Sequence, residues 1–202
     1  MFGLILKDFV TLKKTLFLYF IIAVCYAVLA LLSNTAAGFM GIVIFFATMI
    51  PIASKTYDES ARWDRYVLTM PLPRAKIVFS KYFLGLICLI PAIILSFLIG
   101  MLGKIDFFEN IVVCSTLTVF ALLIMAIDIP IVYQLGSERG RIVSMLVFFA
   151  PAMLIYIFAK MDIAMQVIEK IQTLWIWILI TVLLVSVLSI FLSIHIYKRK
   201  EF

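Results

Sequence analysis

The sequence has one histidine, three cysteines and no G-x-x-x-x-G-K-[ST] stretch. Each shortage closes a class of chemistry. A lone His195 cannot build an H-E-x-x-H zinc helix or a histidine–cysteine metal set. Cys25, Cys88 and Cys114 lie inside apolar runs and form no C-x-x-C pair. They read as small buried side chains, not as disulfide or metal ligands. The Gly103-Lys104 pair is followed by Ile105. No loop there can cradle phosphates with its amides and hold magnesium with a hydroxyl. There is no G-x-S-x-G elbow, and no paired-glutamate motif stands in an apolar run. The chain is therefore no enzyme by itself and carries no metal or cofactor site. If ATP drives it, another chain binds the nucleotide.

Charge is scarce as well. Only 14% of the 202 residues are charged, against 66% hydrophobic, and mean hydropathy is +1.23. A soluble domain is about half apolar. The chain is thus an all-α integral membrane protein, read as a single transmembrane domain over 1–202. A membrane helix needs about 20 mostly apolar residues. Six stretches qualify: Leu16–Leu32, Thr35–Ser54, Tyr82–Leu102, Ile111–Tyr133, Ile142–Ala159 and Leu174–Tyr197. Lysines precede the first, as in a signal peptide, but the spans that follow make it a retained span. Ser33-Asn34-Thr35 alone joins the first two, which forces a tight helical hairpin. None of the runs alternates as a barrel strand would.

Lysine and arginine set the orientation. With the N-terminus inside, the inner segments hold Lys7, Lys13 and Lys14, then Lys55, Arg62, Arg65, Arg74, Lys76 and Lys81. They also hold Arg139 and Arg141, and finally Lys198, Arg199 and Lys200. The outer segments keep only Lys104, Lys160 and Lys170. Both termini are expected in the cytoplasm. The net charge of +6 matters less than this distribution, and no nucleic-acid partner is expected.

The first residues look amphipathic: Phe2, Ile5, Leu6, Phe9 and Leu12 recur at helical spacing beside Lys7, Lys13 and Lys14. This predicts an interfacial helix ahead of the first span. Outside, Ala164, Val167, Ile168 and Ile171 share one face of a short helix, and Trp175 and Trp177 mark that interface. Pro51, Pro91, Pro130 and Pro151 fall within spans, where each removes a backbone donor. They read as irregular packing or as hinges. Cys88, Ala92, Ser96 and Gly100 form a ridge of small side chains on the third span, fit for close helix packing within the chain or at a dimer seam. Ser186, Ser189 and Ser193 share a face of the sixth span, read as hydroxyls bonded back to their own helix or as a polar path. Asp128 is the one carboxylate inside a span. It is either hydrated or paired with Arg139 or Arg141 near the inner surface, or else a functional group. His195 reads as an interface residue.

The largest inner loop, "TYDESARWDRYVLTMPLPR", packs five charged residues into Asp58–Arg65. Thr56-x-x-Glu59 fits a capping box, and Asp58 and Glu59 suit the start of a helix. Trp63, Tyr66, Val67 and Met70 follow an apolar helical face. Asp58, Arg62, Arg65 and Thr69 share the other, with Asp58–Arg62 as an i,i+4 pair. Pro71 ends the helix, so it is expected over about 57–70. Lys76 and Lys81 are expected to snorkel at the start of the third span. The aromatic face reads as an interfacial anchor or as a docking helix for a cytoplasmic partner.

The pattern D-E-x-x-x-W-D-R-Y-x-L-T-M-P-L-P-R between spans two and three, with K-Y-F at the third span, resembles the permeases of type-2 ABC exporters. The Lys7-Asp8-Phe9 region and the "YQLGSERGR" loop, Tyr133 to Arg141, extend the likeness along the whole chain. The short layout is similar to bacterial permeases that export phenol-soluble modulins, which are amphipathic peptide toxins. The resemblance implies a multi-pass protein of the bacterial cytoplasmic membrane, paired with a second permease copy or paralogue. It also implies cytoplasmic ABC ATPase subunits that bind ATP and Mg, and alternating access. On this chain the coupling role would fall to Asp58, Glu59, Arg62, Trp63, Arg65, Tyr66 and Met70. Glu138, Arg139 and Arg141 would make a second contact. Amphipathic peptides are the implied cargo. Efflux of antibiotics, lantibiotics or lipids for self-immunity is the alternative, and a non-transporting anchor or sensor is another.

Overall fold

The computed structural model describes residues 2–33, 36–67, 69–70, 72–140, 142–147 and 175–199. Every regular element among these residues is helical. In chain order they are α1 (Phe2–Ser33), α2 (Ala36–Ser60), α3 (Trp63–Val67), α4 (Arg74–Leu102), α5 (Phe107–Leu135) and α6 (Trp175–Arg199). Residues 137–140 and 142–147 are helical too. Five helices are long and apolar enough to cross a membrane: α1, α2, α4, α5 and α6. The expected span at 142–159 is described only to residue 147. The expected outer helix at 160–173, and Pro151, lie outside the described residues.

The interfacial helix expected ahead of the first span does not form as a separate element. Phe2–Ser33 is one helix of 32 residues, roughly 48 Å long at about 1.5 Å per residue. The cause is local: no glycine or proline interrupts Leu4 to Ser33. Lys13 and Lys14 face outward while Asp8 and Leu12 turn inward, so the first turns pack on the bundle.

The expected helix over about 57–70 is also corrected. α2 runs straight through Thr56 to Ser60. Thr56 is not a cap; its Oγ1 donates to the Ile52 carbonyl inside the helix. A threonine hydroxyl satisfied one turn back leaves nothing to start a new helix there. The break comes at Arg62, which takes φ 51. This left-handed turn re-aims the chain into the five-residue α3. The Ala61 and Arg62 amides donate to the Tyr57 and Glu59 carbonyls, closing the end of α2.

α2 is the central helix. Far more of it is buried than of α1 or α6, which are peripheral. It packs on α1, α4 and α5, while α6 packs on α5 and α4. Met40, Val43, Ile44 and Ala47 of α2 meet Val78 and Leu89 of α4 and Ala121 and Met125 of α5 in one core. Phe17, Phe20 and Val28 of α1 and Trp177, Leu188 and Phe191 of α6 face outward. That is the arrangement a lipid solvent requires.

The small ridge on α4 is buried throughout. Ser96 Oγ donates to the Met40 carbonyl of α2 at 3.2 Å, so at least this part of the ridge serves packing within the chain. Gly100 makes room for Asn110 of α5, into which any Cβ would drive. Asn110 spends its amide on the Phe97 carbonyl.

Pro51, Pro91 and Pro130 lie inside α2, α4 and α5. Pro130 cannot donate to the Ala126 carbonyl one turn back. Ser189 of α6 donates to that carbonyl instead, at 2.5 Å. Tyr82 Oη of α4 lies 2.6 Å from Ser189 Oγ and 2.8 Å from Ser193 Oγ. Of the three serines on α6, only Ser186 bonds back to its own helix, at Val182. The other two tie three helices together.

Candidate functional site

One end of the bundle gathers nearly all the buried charge. The first turns of α1, the ends of α2 and α6, all of α3 and the start of α4 meet there. Arg74 donates to the Lys198 carbonyl at 2.6 Å, which places the beginning of α4 beside the last turn of α6. His195 is exposed near the same end.

Six charges form a balanced set at this end: Lys7, Lys55 and Lys81 against Asp8, Asp58 and Asp64. Lys81 is 3% exposed. Its ammonium reaches both Asp8 oxygens at 2.9 and 3.0 Å, Ser54 Oγ at 2.6 Å and Asp58 Oδ2 at 2.5 Å. Lys7 bonds Asp58 Oδ1 at 2.5 Å and Asp8 Oδ1 at 2.9 Å. Lys55 bonds Asp64 Oδ2 at 2.5 Å, and Tyr197 Oη donates to Asp64 Oδ1 at 3.2 Å. Pairing on this scale answers the cost of burying charge. Lys81 therefore does not snorkel; its stem points inward to three acceptor groups.

Rings cover the ammoniums. Lys7 Nζ sits 4.5 Å from the centre of the Trp63 ring. Lys55 Nζ sits 5.1 Å from that of Tyr133 and 5.7 Å from that of Tyr197. These are cation–π distances.

The residues singled out in the sequence divide sharply. Asp58 is buried and pairs with Lys7 and Lys81, not with Arg62. Trp63 is half-buried, packed on the core and under Lys7. Val67 is fully buried. The face expected to be presented is thus largely spent inside the chain. Arg62, Arg65 and Tyr66 are exposed, and Met70 is half-buried. The Trp63 and Tyr66 rings lie 5.3 Å apart, so the buried ring supports the exposed one.

Glu59 makes a link that the capping box hid. Its Oε2 accepts from the Ser137 amide at 2.8 Å. Gly136, at φ 84, ends α5 in the left-handed region, which a side chain would strain. Thr56, Glu59, Ser60, Gly136, Glu138 and Arg139 line a polar cleft of about 420 Å³. Glu138 and Arg139 are exposed there. Arg141 lies outside the described residues.

Asp128 stands apart. It is 1% exposed, and among the described residues its carboxylate forms no ion pair, with the Ser144 hydroxyl as its polar neighbour. It is buried away from bulk solvent and forms no ion pair with Arg139; Arg141, the other expected partner, lies outside the described residues. The Ser144 hydroxyl beside it donates to the Gly140 carbonyl. Among the described residues no group of His, Cys, Asp and Glu could hold a metal ion.

The comparison with protein families decides the class. A family described as ABC-2 family transporter protein matches residues 3–198. The chain belongs to the ABC-2 transporter family. No curated protein and no solved structure matches it. As an ABC-2 permease it is a multi-pass membrane protein, and the family implies a cytoplasmic ABC ATPase partner. Sequence reasoning about this permease missed Lys7, Asp8, Lys55, Asp64 and Lys81 as a set. Together with Asp58 they make three Lys and three Asp near the ends of the apolar runs, which was the signal available.

Proposed function

We propose that this chain is the permease subunit of an ATP-driven exporter in a bacterial cytoplasmic membrane, with both termini inside. A separate subunit binds ATP and Mg. The observation that carries the reading is the end of α2 with α3. It exposes Arg62 in the turn and Arg65 and Tyr66 on the five-residue helix that follows, a segment tied inward by Asp58, Trp63 and Asp64. An exposed aromatic flanked by arginines is a suitable anchor for a partner groove. The cleft formed by Glu59, Glu138 and Arg139 is the second contact. Two permeases, as a pair of copies or of paralogues, enclose the path.

ATP binding closes the ATPase pair, the closing motion moves α3, and the spans alternate between inward and outward access. The cargo is an amphipathic peptide, for which the largely apolar bundle offers diffuse contacts.

The test is reconstitution with the partner ATPase in vesicles and uptake of a dansyl-labelled amphipathic helical peptide. ATP-dependent accumulation supports the reading. ATP-driven movement of a lantibiotic or a lipid probe but not the peptide reassigns the cargo to self-immunity efflux. A complex that binds ATPase yet moves nothing leaves only an anchor or sensor.

A further inference from the structure

Asp64 occupies a position that the stability of the bundle does not explain. It sits on α3, yet its two oxygens are held by two different spans: Oδ2 by Lys55 of α2 at 2.5 Å and Oδ1 by the Tyr197 hydroxyl of α6 at 3.2 Å. Lys55 in turn lies under Tyr133 of α5, and the Tyr133 and Tyr197 rings meet edge-on at 5.4 Å. One carboxylate on the five-residue α3 thus holds two membrane helices and, through Lys55, is linked to a third.

We propose that Asp64 is the positioning residue that passes motion of α3 to α2 and, through Tyr197, to the last span. The inference rests on the exporter reading above. A buried ion pair is a poor device for stability alone, since well-packed apolar residues of the same volume hold a fold about as well. It is a good device for direction. Apolar faces slide over one another with little loss, whereas a buried carboxylate cannot leave its ammonium without exposing both charges to a low-dielectric surrounding. The rest of α3 is held by Val67 in the core and by Trp63 against Lys7. Neither of those contacts is a charged tie to α6. Without Asp64 the helix keeps its seat and its exposed arginines but loses its charged tie to the last span.

The experiment uses the permease–ATPase complex in vesicles. Bimane is attached to the thiol of a Phe191→Cys variant of α6, an exposed position, on a Cys25→Ser background because Cys25 is also exposed. Three quantities are read: co-purified ATPase, ATP hydrolysis, and the bimane emission change on trapping with ATP and vanadate. Asp64→Asn is expected to keep ATPase binding within about twofold while the bimane change falls at least about threefold. Tyr197→Phe should give a smaller loss in the same direction, and the Lys55→Asp/Asp64→Lys exchange should recover most of the change. A purely structural role would lower yield and leave the bimane response of the surviving protein intact. A full response in folded Asp64→Asn overturns the proposal. If Asp64→Asn does not fold, a full response in Tyr197→Phe overturns it. A wild-type complex whose bimane signal ignores ATP and vanadate also overturns it, with the exporter reading still standing. Wild-type protein that binds no ATPase removes both.

Discussion

Replacing Lys81 by methionine keeps the stem and removes the ammonium. The site is 3% exposed. The loss leaves Asp8 and Asp58 facing Lys7 alone, a buried cluster with one negative charge too many. At 2.9 Å the Lys81–Asp8 attraction is roughly 6 kcal/mol at an effective dielectric of about 20. Desolvation of both partners consumes most of this when the intact pair is compared with an apolar one. It does not help a carboxylate left behind, so Lys81→Met should cost about 3–5 kcal/mol. Asp8→Leu, which leaves Lys7 and Lys81 sharing Asp58 with one positive charge too many, should cost a similar amount. The double variant leaves Lys7–Asp58 at 2.5 Å and Lys55–Asp64 at 2.5 Å, a neutral cluster again. It should lose only about 1–2 kcal/mol, a coupling of at least about 4 kcal/mol. Unfolding free energies from denaturant titration in micelles, followed by tryptophan fluorescence, would measure all four corners of the cycle. Single variants that cost under about 1 kcal/mol, or costs that add within about 0.5 kcal/mol, would refute the claim that these charges form one buried unit.

Three further predictions test other parts of the structure. Ser189→Ala strands the Ala126 carbonyl and should cost about 1–3 kcal/mol. Adding Pro130→Ala, which restores the missing amide donor, should recover most of that in the same melt. Gly100→Ala drives a methyl into Asn110 and should cost about 2–3 kcal/mol, whereas Gly38→Ala, with nothing nearby to meet, should be neutral or stabilising by about 0.5–1 kcal/mol; thermal melts separate the two. Asp128→Asn removes a buried carboxylate that no cation pairs among the described residues and should raise the melting temperature, by about 1 kcal/mol of stability. Unchanged transport and unchanged ATPase coupling in that variant would end any functional role for Asp128.

The parts of this architecture that follow from local pattern were readable. Apolar run length found the helices now seen as α1, α2, α4, α5 and α6. A four-residue spacing found the ridge from Cys88 to Gly100, because both depend on neighbours along one helix. What depends on distant partners was not readable. Asp8 and Lys81 are 73 positions apart, and no periodicity links them. The Thr56–Glu59 capping pattern misled because a threonine hydroxyl can bond back within a helix as readily as it can start one. Glu59 then became free to reach Ser137, across 78 positions. The amphipathic first turns misled for a related reason. Lys7 reads as a headgroup lysine until Asp58 is placed beside it. Ser189 looked like a serine bonding within its own helix because its acceptor exists only where Pro130, on another span, has freed it.

The central claim is that the end of α2 and α3 receive the driving subunit. A photo-crosslinking residue in place of Tyr66, which is 58% exposed, tests it in the native membrane. A second probe at Phe191 on the lipid-facing side of α6 is the control. The account predicts a crosslink from Tyr66 to an ATP-binding subunit, lost in Arg65→Glu and absent at Phe191. A Tyr66 probe that reaches no nucleotide-binding protein, or only lipid, would contradict it.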